Sequence, residues 1–265
     1  MKNNKLILKD SVFEIKNKVA FLKFNRDDIR NALTGSNLIE DIITTADFIN
    51  NTNNISVLVI SGIGKAFSSG GNIKEMIKKK NSFSGTVEEV EKKYRYGIQK
   101  IPKAMEKIEV PVIAAINGPA IGAGLDLACM CDIRIMSDQA YLAENFINLG
   151  IIPGDGGAYF LQKIIGYQKA AELSFTGRII TSEEAYKLGL ILKVVKQDIF
   201  YKEVIKLANS IAKKPANALR YLKRLLKMGS KLQLDEFLDF CALFQGISHN
   251  HPEHRMALKK IKTKK

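Results

Sequence analysis

Two glycine-rich segments stand out for their backbone chemistry. GKAFSSGGNIKEM, Gly64 to Met76, follows the apolar run ISVLVISG, and GPAIGAGLDLACMCD, Gly118 to Asp132, follows VIAAI. Glycines between a strand and a helix permit unusual dihedrals and leave N–H groups open to a ligand atom. Two such loops at the ends of neighbouring strands can aim one N–H each at a common point, the arrangement that holds negative charge developing on an oxygen. Two tight turns closing strand–helix units is the other reading, and spacing alone leaves both open. Neither segment has the spacing of a P-loop or of the dinucleotide-binding G-x-G-x-x-G. Asp126 lies three residues after Ala123, on the same face of the helix expected there. Its carboxylate can exchange protons with a group whose oxygen the Ala123 N–H holds. An acid favoured by the helix dipole is the bland alternative, although its flanks Leu125, Leu127 and Ala128 are apolar. Burial would raise its pKa and the dipole would lower it. Asp155, set among glycines in IIPGDGGAY ahead of YFLQKII, reads as an N-cap or turn aspartate, or else as a second acid.

Other chemistries are disfavoured. His249, His251 and His254 fall in one segment, HNHPEH, so no imidazole elsewhere can serve a Ser–His or Cys–His pair unless the tail folds back over the body. The cluster could ligate a metal, but His251-Pro252-Glu253 fits an ordinary helix start, and that reading is preferred. Cys129, Cys131 and Cys241 are an odd number, and the first two lie in an apolar run, which favours core packing over a disulfide framework or a metal pair.

The formal charge of +14 accumulates at KEMIKKK, Lys74 to Lys80, and in the C-terminal LKKIKTKK. It suits an anionic partner: nucleic acid, an acidic membrane surface or a polyphosphate cofactor. Nucleic acid is disfavoured, because no aromatic residues interleave with the basic ones and no reading module is recognisable. No window approaches the roughly 18 to 20 apolar residues of a spanning helix, and MKNNKLILKD has no secretory core, so a cytoplasmic protein is expected.

The elements that must position these groups follow from periodicity. Val19 to Phe24, Ile55 to Ile60, Val112 to Ile116, Ile133 to Met136, Ala140 to Leu142 and Ile191 to Val195 read as strands. LIEDIITTADFI reads as an amphipathic helix, and the small-residue stretch Ala120 to Met130 as another. From about Phe200 only helices follow, around Ile205 to Ala212, Ala216 to Met228, Leu232 to Phe244 and His254 to Ile261. An α/β body (1–199) with a C-terminal helical region (200–265) is expected.

At these residues the chain resembles the crotonase superfamily of enoyl-CoA hydratases and isomerases. RNAL (Arg30 to Leu33), KAFSSGGNIKEM, PVIAAINGPAIGAGLDLACMCDIRI, LGIIPGDGGAYFL and TGRIITSEEAYKLGLILKVV fall in the family's order and spacing, over nearly the whole chain. The resemblance implies a crotonase (ClpP-like) α/β spiral of strand–strand–helix units with a helical C-terminal region for oligomerisation and active-site cover, assembled as trimers or dimers of trimers. It implies acyl-CoA thioester substrates, as in fatty acid metabolism, and no cofactor beyond the CoA that the substrate carries. The N–H groups holding the thioester oxygen fall on Gly71 and on Ala123, where glycine is usual. CoA contacts fall on Ile29, Arg30 and the stretch Gly71, Asn72, Ile73, Lys74, with C-terminal lysines toward the nucleotide phosphates.

Typical hydratases of the family use two glutamates. The first position is Asp126 here, and the second is Phe146, which cannot activate water. Hydration with Asp155 or Glu144 replacing the missing acid is one expectation. Double-bond isomerisation by Asp126 alone is the second, and a non-catalytic CoA-binding member is the third. The acyl pocket is expected to be lined by the segment Asn81 to Ala104.

Overall fold

The computed structural model describes residues 6–262; the first five residues of the N-terminal decapeptide and Lys264 and Lys265 of the C-terminal lysine run lie outside the described residues. An antiparallel hairpin, β1 (Ser11–Lys16) and β2 (Val19–Phe24), opens the chain and leads into α1 (Leu38–Asn50) and β3 (Val57–Gly62). Helices α2 (Ile73–Ile77), α3 (Val87–Tyr96) and α4 (Lys100–Lys107) separate β3 from β4 (Val112–Ile116). Then come β5 (Ala120–Ile121), α5 (Ala123–Cys129), β6 (Ile133–Ser137), β7 (Tyr141–Ala143), α6 (Gly157–Ile165), α7 (Tyr167–Thr176), β8 (Ile179–Thr181), α8 (Ser182–Lys187) and β9 (Lys193–Val195). Four helices finish the chain: α9 (Phe200–Ala212), α10 (Ala216–Met228), α11 (Leu234–Asn250) and α12 (Pro252–Lys262).

Six strands form one sheet in the order β1-β2-β3-β4-β6-β9, parallel from β2 onward. Every residue of β3 and β4 is buried, as parallel strands covered on both faces require. Alternate side chains serve opposite layers. Leu22, Leu58, Ile60, Ala114 and Met136 join the larger core with α1 and α5, whose buried residues include Leu38, Ile42, Ala46 and Ile49 at helical spacing. Phe21, Val57, Val59, Ile113 and Ile135 face the other way and pack on Phe200, Val204, Ala208 and Ala212 of α9. The first of the C-terminal helices therefore closes the second face of the sheet.

Strands β5, β7 and β8 make a small second sheet beside the first. The stretch Ala120 to Met130 is not one helix as its composition suggests. Ile121 pairs with Ala143 of β7 and Gly122 donates its N–H to Ala143 O at 2.8 Å, so the chain runs extended before it turns at Gly122 (φ 51°) into α5.

Helix α10 docks through cations. Arg220 and Lys223, three residues apart on one face, are both buried. Lys223 Nζ donates to Val110 O (2.8 Å) and pairs with Asp132 (2.7 Å), while Arg220 pairs with Glu109 and donates to Thr52 O (3.1 Å). Part of the positive charge is thus internal docking, not free surface. Helix α11 has no buried residue and meets α10 through the stacked rings of Tyr221 and Phe244. Among the described residues no helix is long and apolar enough to cross a membrane.

Candidate active site

The two glycine-rich loops meet. Phe67 N–H and Ser68 N–H both donate to Pro119 O, and Ile121 N–H donates to Ser68 O at 3.0 Å. A Cβ on Gly70 (φ 72°) would stand 2.5 Å from Ile121 O and 2.8 Å from Ala123 N, and one on Gly124 would stand 2.2 Å from Ser68 O. Only hydrogen fits at these contacts, which is why small residues are spaced as they are. Ala123 is the first residue of α5, so its N–H has no partner within the helix. Neither it nor the Gly71 N–H donates to any acceptor among the described residues.

A third segment locks against this junction. Arg30 and Asn31 both take left-handed backbone conformations (φ 53° and 54°), a strain of order 1–3 kcal/mol each that must be held from outside. The buried Asn31 amide donates to Ile63 O and Ala66 O, Ser69 N–H donates to Arg30 O, and Leu33 N–H donates to Gly70 O at 2.7 Å. Ile29 is half-buried, Arg30, Ile73 and Lys74 are exposed, and Asn72 caps α2 by accepting the Lys74 N–H. Ile29 and Arg30 are tied through their carbonyl oxygens to Ser69, and Asn72, Ile73 and Lys74 directly follow Gly71.

Three carboxyl groups gather under α5. Asp126, Glu144 and Asp155 are 0%, 2% and 3% exposed, yet both oxygens of Asp126, both of Glu144 and Oδ1 of Asp155 have no hydrogen-bond partner among the described residues while the acids are ionised. A proton on Asp126 changes this, since it can then hydrogen-bond to Asp155 or to Glu144. Burial, then the charges of Asp155 and Glu144, raise the Asp126 pKa well above the carboxylate range. Desolvation and like charge set the direction of the shift, which composition left open. Burial lifts Glu144 to about 8. It also raises Asp155, but a hydrogen bond with Asp126 and then the N–H groups of Asp155 and Gly157 oppose the rise. Asp155 is therefore the member of the cluster best able to stay ionised. It is not the helix cap: Gly156 occupies that position and no side chain caps α6.

Gly157 sets how closely α6 approaches the cluster. A Cβ there would lie 2.1 Å from Asp126 Oδ1, against a buried side chain with nowhere to go. Gly157→Ala is expected to cost about 1–3 kcal/mol in overpacking and to remove most enzymatic turnover by displacing Asp126. Thermal denaturation together with steady-state kinetics checks both.

A pocket opens on this junction. Gly71, Ala123 and Asp155 share its lining with Thr34, Met76, Phe83, Lys93, Tyr94, Ile98, Phe146, Ile151 and Gly154. Four of these, Phe83, Lys93, Tyr94 and Ile98, come from the 81–104 segment expected to line it. Asp126 and Glu144 do not reach its surface. The Phe146 ring lies against Gly122. Tyr94 packs on Gly154, whose added Cβ would come within 2.5 Å of the ring. Met76, Phe146 and Ile151 could not be assigned to the pocket from sequence, because they come from three separate elements.

Cys129 and Cys131 are core residues, with burial pushing both thiols up to about 12. The histidine segment is a helix junction. Pro252 begins α12, His251 Nε2 meets the Asn217 amide at 3.0 Å, and Glu253 accepts the N–H groups of Ala216 and Asn217 at the start of α10.

A parallel α/β body, paired glycine loops at strand ends and a buried acid facing the same pocket together define the crotonase fold and its kind of enzyme. The chain belongs to the enoyl-CoA hydratase/isomerase family, whose model matches residues 14–264. It is 33% identical over 236 residues to the short-chain-enoyl-CoA hydratase of Clostridium acetobutylicum, covering 88% of this chain and 87% of that one. It is 34% identical to the crotonyl-CoA hydratase of Syntrophomonas wolfei, covering 84% of each. The crystal structure of an enoyl-CoA hydratase from Bacillus anthracis superposes with a TM-score of 0.87 at 30% identity over 97% of each chain.

Proposed function

We propose that this protein hydrates 2-enoyl-CoA thioesters to 3-hydroxyacyl-CoA. The observation that carries the reading is that Asp155, a buried acid able to remain ionised, lines the same pocket as Gly71 and Ala123, whose N–H groups have no other acceptor. The thioester oxygen sits between those two N–H groups. Asp155 takes a proton from water as its oxygen bonds to Cβ, the thioester carbonyl becomes an enolate whose charge the N–H groups hold, and Cα takes a proton back from the acid cluster. Ile29, Arg30, Asn72, Ile73 and Lys74 meet the CoA portion, and the apolar wall of Met76, Phe83, Phe146 and Ile151 takes the acyl chain. The enzyme works in the cytoplasm as a homotrimer or dimer of trimers. Exposed apolar side chains along α10 and α11, Leu222, Leu226, Leu238 and Leu243 among them, support assembly. Retention of three buried carboxyls without cationic partners argues against a non-catalytic role, because such groups cost stability.

A second reading has its own observation. Among the described residues one carboxyl lines the pocket, Asp155 and not the Asp126 expected for isomerisation, and one is enough to take a proton from Cα of a 3-enoyl thioester and return it at Cγ. Incubation with crotonyl-CoA and with a 3-enoyl-CoA in heavy-oxygen water, followed by mass analysis, separates the two. Label at Cβ supports hydration. Unlabelled 2-enoyl product with no hydration of crotonyl-CoA overturns it in favour of isomerisation.

A further inference from the structure

Glu144 has no place in the pocket wall, yet the fold spends a buried acid on it. It directly follows β7, whose pairing with β5 at Ile121↔Ala143 sets it beside the turn into α5. Asp126 and Cys129 of α5 and Asp155 of the loop before α6 are the titratable groups acting on it or feeling its charge. Neither oxygen of Glu144 has a hydrogen-bond partner among the described residues, and no group of acids, histidines or cysteines there could hold a metal ion. The partner left to its carboxyl is the Asp126 carboxyl, which also reaches Asp155. Asp126 is thus the middle of a chain of three acids running from the pocket into the protein.

We propose that Glu144 is a positioning residue for the acid pair: neutral, it hydrogen-bonds to Asp126 and leaves the Asp126 proton shared with Asp155; ionised, it draws that proton away from the pocket. It never touches substrate. In either state the proton passes between carboxyl oxygens, so the cluster ends each hydration with the protons it began with. This rests on the hydratase reading for its kinetic consequence but not for the proton-sharing itself. Burial pushes the Glu144 carboxyl up to about 8, so turnover falls as pH rises through that range.

The test measures kcat and KM for crotonyl-CoA across pH in the wild type, Glu144→Gln and Glu144→Leu, with a parallel carbon-13 carboxyl NMR titration that follows Asp126. The wild type is expected to lose kcat as pH rises through about 8 with little change in KM. Glu144→Leu should lose kcat about 10²-fold, the cost of a catalytic group displaced by about 1 Å. Glu144→Gln should recover most of that loss and lack the alkaline decline. The Asp126 transition should move to lower pH in Glu144→Gln, where a neighbouring negative charge can no longer form. An alkaline decline and an Asp126 titration both unchanged in Glu144→Gln overturn the proposal. Should the wild type turn over no enoyl-CoA, the hydratase reading fails while the NMR titration still decides whether Glu144 governs the Asp126 proton. Should Glu144→Leu fail to fold, the isosteric Gln variant carries both readouts.

Discussion

Asp155→Asn is expected to lower kcat/KM for an enoyl-CoA by about 10²- to 10⁴-fold, the usual worth of a positioned acid or base. The loss should fall on kcat and leave KM within a few-fold, because the N–H groups, the proposed CoA contacts and the apolar wall are untouched. The same substitution should not lower stability. Asp155 is almost fully buried with one oxygen unpaired, and burial raises its pKa above the ordinary 3.8. A carboxyl whose folded pKa lies above its unfolded value keeps its proton longer in the folded state, so stability falls as pH climbs from about 4 through the folded value. Asparagine carries no such penalty. The melting temperature of Asp155→Asn should therefore equal or exceed that of the wild type at neutral pH, with the gap closing toward pH 4. Thermal melts across pH, run beside the kinetics, separate the catalytic reading from a turn-forming one. A variant that melted lower in proportion to its lost activity would return Asp155 to the role of a turn residue.

Ala123→Pro is the second large effect. Ala123 is the first residue of α5, a position that tolerates proline because its N–H lacks a helical partner. The preceding Gly122 has no Cβ to clash with the ring. The change removes one donor and fills the space that donor's hydrogen would address. Loss of one such donor costs about 10²- to 10³-fold in kcat, and Ala123→Gly, which keeps the N–H, should stay within a few-fold of the wild type. Circular dichroism and melting of both variants check that the helix persists. Equal activity of the proline and glycine variants would show that the Ala123 N–H holds no developing charge.

Much of the fold was legible because its signals are local. Val19 to Phe24 and Val112 to Ile116 are runs that only a buried strand accommodates, and LIEDIITTADFI carries its apolar face at helical spacing. Ala120 to Met130 misled because alanine and glycine composition says helix, whereas the decisive term is a backbone pairing of Ile121 with Ala143 more than twenty positions away. Long-range pairing overrides local propensity wherever strands are short.

The candidate site divides in the same way. Ala123, Asp126 and Asp155 could be named from residue type and spacing, because a glycine turn and an acid on a helix face are properties of a few neighbouring residues, whereas Gly71 came from the family resemblance. Which acid faces the pocket could not. Sequence puts Asp126 forward, and the tertiary packing of α6 through Gly157 sets it behind the surface while Asp155 comes to the wall. Nor could the chain by itself show that Glu144 completes a cluster of three, since β7, α5 and the loop before α6 meet only in space. The sign of each pKa shift was likewise undecided until burial was known, because desolvation depends on everything packed around a carboxyl and not on its neighbours in the chain. Sequence alone determined the fold class and the supply of N–H groups and acids; packing decided which of them stand together, and in which protonation states, because distance and dielectric are set by residues far apart along the chain.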